Sequence, residues 1–269
     1  ILAAMLAVFR GPARARYAAG CIALAVTLAS FLVTFWIYLP GAAPAPAQIG
    51  FADFTAPRNL KLTPLAPISL AAKLLPWLTP FWIAGAAILQ LRFGVAWIAA
   101  RRLRVRAVCV APDAWQSRLN ELAARMRVSR PVTLLESGVA TLPVALGFLR
   151  PIIVCPAGMI AGLPPAHVDW ILQHELAHIL RHDYVINILQ TLAEGILFYH
   201  PAVWWISNVI RAEREHCCDD LAIAANANDT NSAYNYALAL AALEESRWNG
   251  NYSQPAAGVA ASGGNLKMR

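Results

Sequence analysis

A chain of 269 residues has room for one or two ordinary domains, yet only 14% of it is charged, 58% is hydrophobic and the mean hydropathy is +0.50. Soluble domains carry roughly 25% charged residues, so this balance excludes an ordinary soluble protein and assigns much of the chain to lipid. The formal net charge of +7 does not point to nucleic acid: many of the arginines cluster beside apolar runs, where anionic lipid is the natural partner.

Residues 1–9, "ILAAMLAVF", are apolar but too few to span a bilayer, and they read as the end of a longer helix. A cleaved signal peptide fits poorly, because no basic n-region is present and the apolar run from Tyr17 exceeds the roughly 7 to 15 residues of a signal core. No charge occurs from Tyr17 to Gln48. Residues 17–39 are long enough to cross about 30 Å of hydrocarbon as a helix. A second span is predicted at 74–100, where the single charge, Arg92, can snorkel to an interface.

Arginine and lysine near span ends resist translocation. Arg10, Arg14 and Arg16 precede the first span, and Arg101, Arg102, Arg104 and Arg106 follow the second. The loop between the spans has only Arg58, Lys61 and Lys73. Both arginine clusters therefore belong in the cytoplasm. Residues 1–100 are expected to form the transmembrane region, 101–246 a cytoplasmic domain and 247–269 a flexible tail. The odd set of five cysteines, one of them within a span, fits free thiols in a reducing compartment.

The cytoplasmic part begins with an amphipathic helix, "APDAWQSRLNELAARMRV", with Asp113 as its cap and Trp115, Leu119, Leu122 and Met126 on one face. Two extended runs, "PVTLLES" and "RPIIVCP", flank a Gly- and Pro-interrupted stretch and imply a small sheet. Pro164 and Pro165 open a helix that runs through "HELAHILRHD", residues 174–183. One further helix is expected over 184–210, buried or lying at the membrane surface, because Asn187, Gln190, Glu194, His200 and Pro201 are costly in lipid. The fold class is thus mainly α with a small sheet.

On a helix, residues four apart share a face, so His174 and His178 can present nitrogens to one metal ion. Glu175, about 100° around the helix, stands where it can take a proton from a metal-bound water. A catalytic zinc needs a third protein ligand. His182 lies about 12 Å further along the helix from His174 and reads, with Asp183, as a helix-end residue. In "EREHCCDD", Glu215 could bind the metal while Asp219, on the same face, accepts a hydrogen bond from a liganding histidine. Glu213 is an alternative, and His216, Cys217 and Cys218 leave open a structural site of two histidines and two thiolates.

Together, "HELAHILRHDYVINILQ", "FYHPAVWW" and "EREHCCDDLA", with "LLESGVATLPVALGFLRPIIVCP" and the paired spans before them, resemble the integral-membrane zinc metallopeptidases of the BlaR/MecR antirepressor type, which are gluzincins. The resemblance implies Zn2+ held by His174, His178 and Glu215, with Glu175 as catalytic base and Asp219 in support. His216 is available as a transition-state stabiliser. It also implies a multi-pass protein of the bacterial inner membrane whose gluzincin-like protease domain faces the cytoplasm. There it would cleave a protein substrate, a transcriptional repressor or itself, and "RPIIVCP" would be the edge strand that aligns the substrate. No SxxK serine motif occurs in these residues, so the β-lactam sensing of the best-known members does not carry over. The expected partners are the bilayer and a peptide or protein, with no direct nucleic acid binding. The alternatives are a non-catalytic receptor with a structural zinc and a peptidase of the CAAX-processing type.

Overall fold

The computed structural model describes residues 11–37, 70–103 and 108–248. The expected helix end at 1–9 and nearly all of the tail, 249–269, lie outside them. Two long apolar helices come first, α1 (Ala13–Ile37) and α2 (Leu70–Leu103). Among the described residues, α1 and Trp77–Ala99 of α2 are the helices long and apolar enough to cross a membrane. That stretch of α2 is not buried inside the protein, unlike the core helix of a soluble protein. Trp77, Phe81 and Leu91 are each at least 70% exposed, a surface that favours hydrocarbon over water.

After α2 come β1 (Val108–Val110), α3 (Asp113–Arg125), β2 (Thr133–Ser137), β3 (Val144–Leu146) and β4 (Ile152–Pro156). A single-turn helix, α4 (Met159–Gly162), then leads to α5 (Pro165–Arg181), α6 (Asp183–Ile196), α7 (Pro201–Ala224) and α8 (Ser232–Trp248). In α3 the residues on the predicted face are buried: Leu119 and Leu122 completely, Met126 nearly so, with Trp115 packed against them. Asp113 is the first helical residue rather than the cap. That place belongs to Pro112, whose fixed φ suits the turn into the helix.

The sheet has four strands in the order β1-β2-β4-β3. β2 runs parallel to β4, with Leu135 opposite Val154, while β1 and β3 pair antiparallel. This overturns one expectation. β4, the "RPIIVCP" strand, is bonded on both sides and is not an edge. The edge beside it is β3, drawn from the stretch read as irregular. Leu134 of β2 and Ile153 and Cys155 of β4 meet Val168, Leu172 and Leu176 of α5 in the main core, which α3, α7 and α8 complete.

The expected single helix over 184–210 is two helices. Proline disfavours a helical residue before it and has no amide hydrogen to give. His200 accordingly adopts an extended conformation (φ −97°, ψ 108°) and α7 starts afresh at Pro201, then continues to Ala224. α6 and α7 are joined by Gln190, which donates to the Ser207 carbonyl at 2.7 Å, and by an Arg211–Glu194 ion pair. α1 lies along α7: Leu24, Leu28 and Phe31 join Val203, Ile206 and Ile210 in a second core. The two helices approach so closely that a Cβ on Gly20 would sit 2.8 Å from Ile210.

Candidate metal centre

α5 carries the first half of the site. It opens with Pro165 in its first turn and ends at His182, which takes the left-handed conformation (φ 60°, ψ 33°). α6 begins at the next residue. The reversal swings Asp183, 4% exposed, back beneath α5, where its Oδ2 lies 2.8 Å from His178 Nδ1. α7 supplies the second half.

His174 Nε2 and His178 Nε2 are 3.2 Å apart, and the Glu215 carboxylate oxygens lie 3.6 Å from the first and 3.9 Å from the second. Each imidazole is backed at its other nitrogen. His174 Nδ1 faces Asp219 Oδ1 at 3.1 Å and the Tyr236 hydroxyl at 2.8 Å, and that hydroxyl donates to Asp219 at 2.6 Å. His178 Nδ1 faces Asp183. With each Nδ1–H given to a carboxylate, both Nε2 lone pairs and the Glu215 oxygens converge on one point. Three acceptors facing one another repel unless a cation stands between them. Zinc held by nitrogen and oxygen at about 2.0 to 2.2 Å in tetrahedral geometry sets ligand atoms about 3.3 Å apart. The residues present therefore fit such an ion.

The electrostatics agree. Burial lowers the His174 pKa, but hydrogen bonds to Asp219 and Glu215 and the charge of Glu175 outweigh it and raise the value to about 10. A proton thus takes the cation's part when no metal is bound. Glu175 is 8% exposed. The thiol of Cys155 on β4 is pushed up by burial and then by the charges of Glu175 and Glu136.

The remaining sequence candidates lie elsewhere. Glu213 is paired with Arg16 of α1 at 2.7 Å. His216 is exposed on α7 and belongs to neither cluster of potential ligands among the described residues. All five cysteines are free. Cys218 is completely buried and faces the Nδ1 side of His178, at 3.3 Å, rather than the shared Nε2 point. Burial, then the charge of Asp183, raises its pKa, so it stays protonated and donates to Asp183 at 3.4 Å. His178, Asp183 and Cys218 form a second group of close donors, but their atoms are already engaged with one another. A site of two histidines and two thiolates is not assembled.

Sequence reasoning missed two residues. By sequence Asp183 is a helix-end polar group, and Tyr236 is one residue of an alanine-rich helix. "HD" after the HExxH helix was the available signal for the first. No local pattern marks the second.

Two imidazoles and a carboxylate from packed helices, with a glutamate beside the first histidine, are the parts of a metallopeptidase-type site. The chain belongs to the peptidase family described as BlaR1 peptidase M56, whose family model matches residues 63–269. It is 26% identical over 138 residues to the regulatory protein BlaR1 of Bacillus licheniformis, a match covering 51% of this chain and 23% of that protein. It is also 26% identical over 77 residues to the methicillin resistance mecR1 proteins of Staphylococcus aureus and Staphylococcus epidermidis, covering 29% of this chain and 13% of theirs. The chain therefore matches less than a quarter of the length of these relatives.

Proposed function

We propose that the chain is a zinc-dependent endopeptidase of the membrane, with the metal held by His174, His178 and Glu215. The observation that carries this reading is the convergence of both Nε2 atoms and the Glu215 carboxylate while both Nδ1 atoms are backed by carboxylates. When bound, zinc supplies a lowered pKa for water and polarises the peptide carbonyl. The chain's own residues do the rest. Glu175 accepts the proton of the attacking water at its carboxylate and passes it to the leaving amine. Asp219 and Asp183 hold the imidazoles in the tautomer that leaves Nε2 free, and Tyr236 fixes Asp219.

β3 is the strand with a free edge beside α5, and an extended peptide can add to it. α1 and α2 anchor the protein in the bacterial inner membrane, and the arginine asymmetry faces the peptidase towards the cytoplasm. The names of its relatives, a regulatory protein and resistance proteins, favour a substrate in signalling: a cytoplasmic repressor or the chain itself. His216, next to Glu215 in sequence and exposed, is the imidazole we assign to charge stabilisation during the reaction. Digestion of an unfolded protein by the detergent-purified, zinc-loaded chain tests the reading. Glu175→Gln should keep its zinc and lose cleavage by about 100-fold or more. Equal cleavage by the two proteins rejects it.

A further inference from the structure

Between the end of α5 and β3 lies a shallow cavity, partly open to solvent, lined by Arg130, Ala145, Gly147, Phe148, His178 and His182 among others. His178 joins it to the metal cluster and Ala145 joins it to the edge strand. On the peptidase reading, on which this inference rests, a side chain of the bound substrate close to the cleaved bond points into it.

The charged group of the lining is Arg130. The lining also holds two histidines and no carboxylate. Asp183, next to His182 in sequence, is buried and engaged with His178 and Arg181, and Glu215 lies 3.9 Å from His178 Nε2. Arg130 is held in place: Nη1 donates to the Phe148 carbonyl at 2.6 Å, and the guanidinium lies 4.6 Å above the Phe148 ring. Its Nη2 donates to His182 Nε2 at 2.9 Å. A guanidinium has no lone pair to offer, so His182 is the acceptor and carries its proton on Nδ1. Among the described residues, no carboxylate lies within ion-pair distance of Arg130. Beyond these two bonds the guanidinium keeps N–H groups that can donate to a carboxylate.

We propose that this cavity is a specificity subsite for an acidic side chain, Asp or Glu, of the substrate, with Arg130 as its counter-charge. The test is peptide binding to the zinc-loaded Glu175→Gln protein, followed by fluorescence anisotropy. The probes are labelled eight-residue peptides carrying Glu, Gln or Lys at each central position in turn. In one register the Glu peptide should bind about tenfold more tightly than its Gln partner, a difference of about 1.4 kcal/mol. Arg130→Lys should keep that preference, and Arg130→Glu should turn it towards the Lys peptide. Equal affinity for Glu and Gln peptides in every register overturns the proposal, as does absence of binding by all of them or an unchanged preference after Arg130→Glu. The comparison of Glu with Gln needs no mutation of Arg130, so a misfolded variant does not rescue the idea. Binding is read without cleavage. A Glu preference in a chain that cuts nothing would count against the peptidase reading alone, and cleavage without the preference would count against the subsite alone.

Discussion

Replacing Asp183 by Asn keeps the size and an acceptor oxygen and removes the charge. In the structure this carboxylate is 4% exposed and faces His178 Nδ1 at 2.8 Å, Arg181 Nε at 3.4 Å, the Cys218 thiol at 3.4 Å and the Tyr17 hydroxyl at 3.4 Å. The first of these contacts bears on the metal. A carboxylate that holds an imidazole by its far nitrogen raises the basicity of the liganding nitrogen, and losing such a partner weakens metal affinity by about 10- to 100-fold. That corresponds to about 1.4 to 2.7 kcal/mol. The Asn amide also lets His178 rotate, which puts the expectation for Asp183→Asn in the upper half of the range. The assay is competition for zinc against a chelator of known affinity at fixed pH, with parent and variant side by side. Unfolding in excess chelator is measured alongside, so that any effect on the fold is seen separately. If the zinc dissociation constant stays within twofold of the parent's while metal-free stability falls, Asp183 is a helix-end residue only, and the account of the His178 side of the site is wrong.

Tyr236→Phe should weaken zinc binding severalfold and lower stability by about 1 kcal/mol, because it removes a hydroxyl bonded to both Asp219 and His174; the same two measurements check it. The raised pKa of His174, about 10 against 6.5, has a definite sign. In metal-free protein its protonated form contributes stability that is full below about pH 6.5 and is lost as pH rises towards 10, so chelator-treated protein should become easier to unfold across that window. Since zinc displaces that proton, apparent affinity should rise about tenfold per pH unit between pH 7 and 9, as calorimetry in buffers of different ionisation heat would show. Gly20→Leu forces a side chain into the 2.8 Å approach to Ile210 and should cost about 1 to 3 kcal/mol by overpacking, read as a lower unfolding temperature in detergent.

The parts of the site that follow from helical spacing were legible in the sequence. His174 with His178, and Glu215 with Asp219, are each four apart, and a helix brings such pairs to one face whatever else the chain does. Asp183 was opaque because its position depends on one left-handed residue, His182, which reverses the chain. Tyr236 approaches His174 across 62 residues of sequence, and only tertiary packing decides that. In the sheet, the β-branched runs around Leu134 and Ile153 announced β2 and β4, but Val108–Val110 and Val144–Leu146 are three residues each, too short to alternate visibly beside arginines and glycines. Without β3, the sequence shows β4 as an edge. The break before Pro201 was written in the sequence, and overall apolarity obscured it.

The start of the apolar helix α1 packs beside the candidate metal centre. Arg16 grips Glu213, two residues before Glu215, and Tyr17 reaches Asp183 while its ring lies 4.5 Å beneath the Arg181 guanidinium. A soluble fragment starting after α2 would leave Glu213 half-buried without its cation and strip the apolar cover from Val203, Ile206 and Ile210. Both helices that carry the His, His, Glu cluster would then have lost a support. A fragment that is to keep the His, His, Glu cluster intact should therefore retain α1, and conditions that disturb the seam between α1 and α7 should register at that cluster.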